Sequence, residues 1–143
     1  MTQAPLMDRI HITEDYDVPR VINGGWQLSA GHALERPLDL ADASRAFNRL
    51  IDMGFDTFDC ADIYTGVEDF FGGIIRERRK AGLRLPQIHT KFVPDLNDLA
   101  NVTPAYIENI ITRSLRRLGV ERLDAVQFHW WDYSVPGMVD VAG

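Results

Sequence analysis

Short runs that read as strands alternate with longer segments of helical period along most of this chain, and no other feature limits its fold so tightly. Val21 to Leu28 reads as a strand interrupted at Gly24-Gly25. "LDLADASRAFNRLIDMG" then places Leu40, Ala43, Phe47, Leu50 and Ile51 on one helical face and stops at Gly54. The pattern repeats: Thr57 to Asp59 is strand-like, and Val67, Phe70, Phe71, Ile74 and Ile75 stripe a second helix that ends near Gly82. "QIHTKF" follows Pro86 as a third strand. A third helix opens on Thr103 as N-cap with Pro104 in its first turn and closes at Gly119; "LDAVQFHW" is the fourth strand. Such alternation predicts right-handed βαβ units and therefore an α/β fold, with about four parallel strands and three helices packed on the sheet. Ile10 to Pro19 can add a small hairpin, so residues 1–20 are read as an N-terminal tail or hairpin and 21–143 as one unit. A fourth helix is expected to begin around "SVPGMVDVAG".

Composition narrows the function classes. The formal net charge of -6 disfavours a nucleic-acid partner, because phosphate binding needs clustered Lys and Arg. The one basic run, Arg76 to Lys80, reads as the solvated end of a helix. The N-terminus lacks an apolar signal core, and no apolar run reaches membrane-spanning length, so no membrane association and a cytoplasmic location are expected. Cys60 is the single cysteine; beside a carboxylate its thiol is held in the less reactive protonated form, and it reads as a packing residue. The histidines, His11, His32, His89 and His129, have no ligand spacing, so no metal is expected.

Strand parity gathers the polar chemistry on one side. Side chains alternate across a strand, so Asp59 shares a face with Thr57, Lys91 with His89, and His129 with Gln127; Phe58, Ile88, Thr90, Val126 and Phe128 point to the helices. Three ionisable groups thus end three strands on the inner face, where parallel α/β folds build their sites. Tyr64 follows in the loop after the second strand. An isolated phenol ionises near pH ~10, and a nearby ammonium favours its anionic form, so Lys and Tyr together make a usable proton donor. Asp59 would hold Lys91 charged and in place, and His129 could orient a substrate carbonyl. A glycosidase pair of Asp59 and Asp62 fits less well, since both come from one short segment and leave the Lys and Tyr unexplained.

"GFDTFDCADIYTGVEDFFG", "HTKF", "SLRRLGVERLDAVQFHW" and "INGGWQLS" together resemble the N-terminal portion of an aldo-keto reductase, from about Val21 onward. The resemblance implies part of a (β/α)8 barrel, and it implies that Asp59, Tyr64, Lys91 and His129 correspond to the family's catalytic Asp, Tyr, Lys and His. It further implies NADP(H) as cofactor, with NAD(H) the alternative, and a small aldehyde or ketone as substrate. Gly24, Gly25 and Trp26 match the loop near the nicotinamide and, with Asp59, are the expected cofactor-side residues; Trp26, Trp130 and Trp131 are expected to wall the substrate pocket.

A complete barrel takes ~250 residues or more, and the resemblance covers only its first half. No GxGxxG fingerprint or phosphate-binding loop stands in for the second half, which in the family supplies most cofactor contacts. Three readings follow: a truncated reductase with impaired or absent activity, which is the reading preferred; a homodimer of half-barrels paired edge to edge; or a non-enzymatic binding or regulatory module that keeps the four residues as a relic.

Overall fold

The computed structural model of the chain describes residues 7–30 and 38–143. Four strands, β3 (Asn23–Gly24), β4 (Thr57–Asp59), β5 (Gln87–Phe92) and β6 (Ala125–Phe128), form one parallel sheet in the order β3-β4-β5-β6. Sequential strands are spatial neighbours, and the helices α1 (Leu40–Asp52), α2 (Val67–Lys80) and α3 (Pro104–Leu118) join them in turn. This is the (β/α) progression of a barrel wall. The register sets Gly24 beside Asp59, Asp59 beside His89, and Lys91 beside Gln127, so the inner-face polar residues climb obliquely across the sheet.

The helices start and stop where local chemistry dictates. The Asp39 carboxylate accepts from Ala41 N at 2.9 Å and Asp42 N at 3.1 Å, and Thr103 Oγ1 accepts from Tyr106 N at 3.2 Å, satisfying first-turn donors that have no partner within the helix. Gly119 ends α3 at φ 67, a conformation that costs a side-chain-bearing residue but not glycine. The inward stripes meet in an aromatic cluster: Phe58 of β4 stacks on Phe71 of α2 with centroids 5.2 Å apart, and Phe47 of α1 packs edge-on against Phe71. Ile51, Ile88 and Leu118 complete the same buried core. Phe58, Ile88 and Thr90 therefore face the helices, as alternation predicts, and Thr90 Oγ1 donates to the buried Glu68 of α2 at 2.7 Å. Val126, on the same face of β6, remains 45% exposed, since α3 packs against α2 and β5.

Two local readings are corrected. Only Asn23–Gly24 of the expected Val21–Leu28 strand joins the sheet, because the chain leaves the extended conformation at Gly25 (φ -100, ψ -2) and winds into a 3-10 turn over Trp26–Leu28. Arg78, inside the supposedly solvated basic run, is 3% exposed. Its guanidinium donates to Arg84 O, to Asn48 Oδ1 at 2.8 Å and to Asp52 Oδ1 at 2.6 Å, which ties the end of α2 to α1. Thr57, which parity sets on the inner face, is fully buried.

A hairpin causes that burial. β1 (Arg9–Thr13) pairs antiparallel with β2 (Tyr16–Pro19) and closes over the N-terminal ends of β4 and β5. Arg9 donates to Asp17 at 2.9 Å and Asp56 at 2.8 Å, Gln87 Nε2 donates to Asp17 O, and the Tyr16 hydroxyl meets His89 Nε2 at 2.8 Å. The opposite, C-terminal end of the strands carries Asp59, Lys91 and His129. The expected fourth helix forms as α4, Met138–Ala142. His32 and residues 1–6 lie outside the described residues.

Candidate active site

Beyond Asp59 the chain leaves β4 without leaving the sheet. Gly25 N donates to Asp59 O at 2.8 Å, Cys60 N to His89 O at 2.7 Å, and Asp62 N to Lys91 O at 3.3 Å, so the ladder runs on into the loop. The loop then tightens, with Tyr64 N donating to Ala61 O and Val67 N to Tyr64 O, each at 3.0 Å, and turns into α2 through Gly66 at φ 80. That left-handed residue explains a glycine immediately before the helix. The result fixes Tyr64 between a strand end and a helix start.

The Lys91 ammonium makes three short contacts: Asp59 Oδ1 at 2.7 Å, Asp59 Oδ2 at 2.6 Å and Cys60 O at 2.8 Å. All three of its donors are engaged, which holds the charge in one place. The same nitrogen lies 5.2 Å from the centroid of the Tyr64 ring, within cation–π range. Gln127 Nε2 donates to Asp59 Oδ1 at 3.3 Å and steadies the carboxylate from β6. His129 follows β6 directly; its backbone N donates to Phe92 O at 3.0 Å, and its ring meets Trp131 edge-on at 4.7 Å. Trp131 is anchored in turn by its indole N–H on Pro94 O at 2.9 Å.

Tyr64, Lys91 and His129 share a cleft of about 260 Å³ with Trp26, Trp131, Ile63 and Val93, and the Asp59 carboxylate lies behind Lys91. Strand-end residues and two aromatic walls that are distant in sequence thus converge. Trp130 does not join them. It is 3% exposed, packs on Phe128 and donates to Val135 O at 3.2 Å. Gly25 acts by closeness, since a Cβ there would sit 3.0 Å from Asp59 O and 3.1 Å from Phe71 and Val67. Gly24, by contrast, is exposed with open space around it. A larger cleft of about 510 Å³ lies at the hairpin end, beside Tyr16, His89 and Asp124, away from the convergent residues.

Sequence reasoning passed over the layer beneath the loop. Asp62 accepts from Val93 N at 3.1 Å and from Arg113 at 3.2 Å, while Arg117 donates to Asp62 O at 2.9 Å and to Glu68 Oε2 at 3.1 Å. Burial pushes the Asp62 carboxyl up to about 6, against the opposing pull of the Val93 amide and of Arg113. The Cys60 thiol is pushed up to about 12, chiefly by burial and then by Glu68, so the neighbouring Asp59 is a minor cause of its inertness. No alternation or motif marks Asp62 as buried; the only signal is a second acid in a loop too short to hold two solvated ones.

The cleft can present a proton and a hydrogen bond to one polar atom of a small molecule. Trp26 lines the cleft, and Gly24 does not. Lys91 is the only Lys or Arg among its described lining residues and is already engaged by Asp59, so these residues do not suit the phosphates of a dinucleotide. No group of three or more His, Cys, Asp or Glu able to hold a metal ion occurs among the described residues, and no described helix is long and apolar enough to cross a membrane.

A parallel (β/α) sheet with an Asp-Lys pair, a loop Tyr and a strand-end His at its C-terminal end defines a class of barrel protein. The family model of the aldo/keto reductases matches residues 20–143, and the chain belongs to that family. Among solved structures, a protein from Pseudomonas aeruginosa described as an aldo-keto reductase superposes with a TM-score of 0.73 at 20% identity, covering 98% of this chain and 54% of its own. A thermostable aldo-keto reductase bound to the inhibitor epalrestat gives 0.67 at 21% identity, covering 91% and 45%. An aldo-keto reductase of the silkworm Bombyx mori gives 0.64 at 24% identity, covering 87% and 36%. The chain spans about half the length of the first two, and at these identities the likeness is one of fold.

Proposed function

We propose that the cleft reduces the carbonyl of a small aldehyde or ketone to an alcohol. The observation that carries the proposal is the Lys91 ammonium, held at 2.6 Å by Asp59 and lying 5.2 Å from the Tyr64 ring in a cleft shared with His129. His129 donates a hydrogen bond to the substrate oxygen and orients it. Tyr64 transfers its phenolic proton to that oxygen as negative charge develops there, and the fixed ammonium stabilises the phenolate left behind. Asp59 keeps the ammonium charged and aimed, and water later returns the proton to Tyr64. Gly24, Gly25, Trp26 and Asp59 would hold the nicotinamide end of a cofactor, NADP(H) in preference to NAD(H), which would supply the hydride, its phosphates needing partners beyond the described lining residues. Trp26 and Trp131 flank the substrate.

The proposal extends to residues 21–143 as one barrel-forming unit acting in the cytoplasm. Its edge strands among the described residues, β3 and β6, pair with those of a second copy, because edge backbone groups otherwise need another partner. The second reading, a binding module without turnover, is favoured by one observation: no described lining residue beyond Lys91 is suited to a cofactor phosphate. NADPH titration of the purified chain by fluorescence, with its oligomeric state measured by sedimentation in the same sample, separates the two. Saturable binding supports the reductase, whereas no binding at cofactor concentrations far above the physiological range supports the module.

A further inference from the structure

Asp62 occupies an unusual place for an acid: its side chain is fully buried, two residues before Tyr64 and directly beside the strand that carries Lys91. Its backbone N–H donates to Lys91 O at 3.3 Å, and its Oδ1 accepts from Val93 N at 3.1 Å. One residue thus grips β5 on both sides of Phe92, extending the β4–β5 ladder by a rung that the backbone alone no longer forms. Its remaining acceptors are held from α3, with Arg113 on Oδ2 at 3.2 Å and Arg117 on the carbonyl at 2.9 Å. Arg117 also bonds the buried Glu68 of α2, whose other oxygen accepts from Thr90 of β5.

These contacts meet at the point where the Tyr64 loop has to be fixed. Tyr64 is linked to the clamp through Ala61 O, and the Lys91 carbonyl is itself one of the clamp's acceptors. We propose that Asp62 is a positioning residue that sets the distance between the Tyr64 ring and the Lys91 ammonium by locking the loop to β5 and α3. The inference rests on the reductase reading for its purpose, but not for its physics. A buried carboxyl that takes over a ladder position is a costly device compared with an apolar side chain, and its partners here are the backbone of one functional segment and the helix beneath the other. Apolar replacement would fill the volume but leave Val93 N and the Arg113 guanidinium without their carboxylate acceptor, while Arg117 keeps the residue-62 carbonyl and Glu68.

Hydrogen exchange on the full chain tests the clamp independently of catalysis. In Asp62→Ala the amides of Val93, Tyr64 and Val67 should exchange at least about tenfold faster than in the parent, while those of Phe47 and Leu50 in α1 change little. Asp62→Asn keeps a carbonyl oxygen for Val93 N and should restore protection to within about threefold. If Asp62→Ala does not fold, Asp62→Ser carries the same expectation, because its hydroxyl stops one bond short of Val93 N. In any of these chains that turns over an aldehyde with NADPH, the loss should fall on kcat, with the KM for NADPH kept. Unchanged loop exchange in the Ala or Ser variant, or acceleration shared equally by α1, overturns the clamp even if the parent is an active reductase. An inactive parent with the expected exchange pattern overturns the reductase reading alone.

Discussion

Replacing Lys91 by Met removes the one cation that Asp59 holds, and the structure sets the size of the effect. The pair is neither on the surface nor deeply buried, with side-chain exposures of 18% for Lys91 and 31% for Asp59. Exposed pairs contribute about 0.2–1 kcal/mol, and breaking a fully buried pair costs about 3–5 kcal/mol. An intermediate coupling of about 1–2 kcal/mol follows, the lower part of that interval, because after the substitution Asp59 can rehydrate and still keeps Gln127. Urea denaturation of the parent, Lys91→Met, Asp59→Asn and the double variant forms a closed cycle. The double variant should be more stable than the sum of the single losses by about 1–2 kcal/mol, with unchanged m-values. Additivity within about 0.5 kcal/mol would refute the reasoning that the ammonium is held by the carboxylate. In a turnover assay the same Lys91→Met chain should lose at least about a hundredfold in kcat, since the charge that stabilises the phenolate is gone.

Gly72→Ala should destabilise the chain by about 1–2 kcal/mol in thermal or urea melts: the added Cβ would sit 2.1 Å from Arg117 O, a backbone clash at the upper end of the about 1–3 kcal/mol that overpacking costs, against the roughly 1 kcal/mol that Ala gains over Gly in a helix. Stability equal to the parent would show that α2 and α3 approach less closely. Cys60, buried and pushed up to about 12, should resist a disulfide reagent at about pH 8 in the native chain and react fully once denatured; fast native reaction would contradict its burial. Asp62 should give stability a pH dependence. Its carboxyl is raised from 3.8 to about 6, so the folded chain keeps a proton that the unfolded chain loses between those values, and this contribution, about 1–3 kcal/mol, is full below the lower value and lost as pH rises through the upper one. Urea midpoints of the parent relative to Asp62→Asn should therefore fall from about pH 4 to 7, and parallel pH profiles would overturn the assignment.

The fold was legible where each local signal agreed with its neighbours. Thr103, Pro104 and Gly119 bracket α3 by capping chemistry that needs no tertiary context, and parity placed Phe58, Ile88 and Thr90 under the helices because both faces of a parallel strand are constrained. The convergence of Lys91 and His129 followed from the same parity, since strand ends on one face meet at one mouth, whereas Tyr64 stands in the loop after β4, where alternation gives no direction. Legibility failed where partners come from far along the chain. Arg78 is buried only because Asn48, Asp52 and the Arg84 carbonyl surround it, and nothing in its own run says so. Trp130 and Trp131 look alike in sequence, yet one turns into the packing beside Phe128 and the other onto Pro94 at the cleft. The hairpin was visible as a possibility, but its role as a cover depends on Tyr16 meeting His89 across 73 positions. Gly25 was expected at the cofactor side, and its closeness to the Asp59 carbonyl favours glycine there on packing grounds as well.

The central claim is that Tyr64 donates the proton in a carbonyl reduction supported by Lys91 and His129. Single-turnover reduction of a reactive aldehyde by NADPH, comparing the parent with Tyr64→Phe and following nicotinamide absorbance at saturating cofactor, tests it most directly. The account predicts reduction by the parent and a loss of at least about a thousandfold in Tyr64→Phe, with the melting temperature and NADPH affinity preserved. Equal rates in the two chains, or no reduction by the parent, would contradict it.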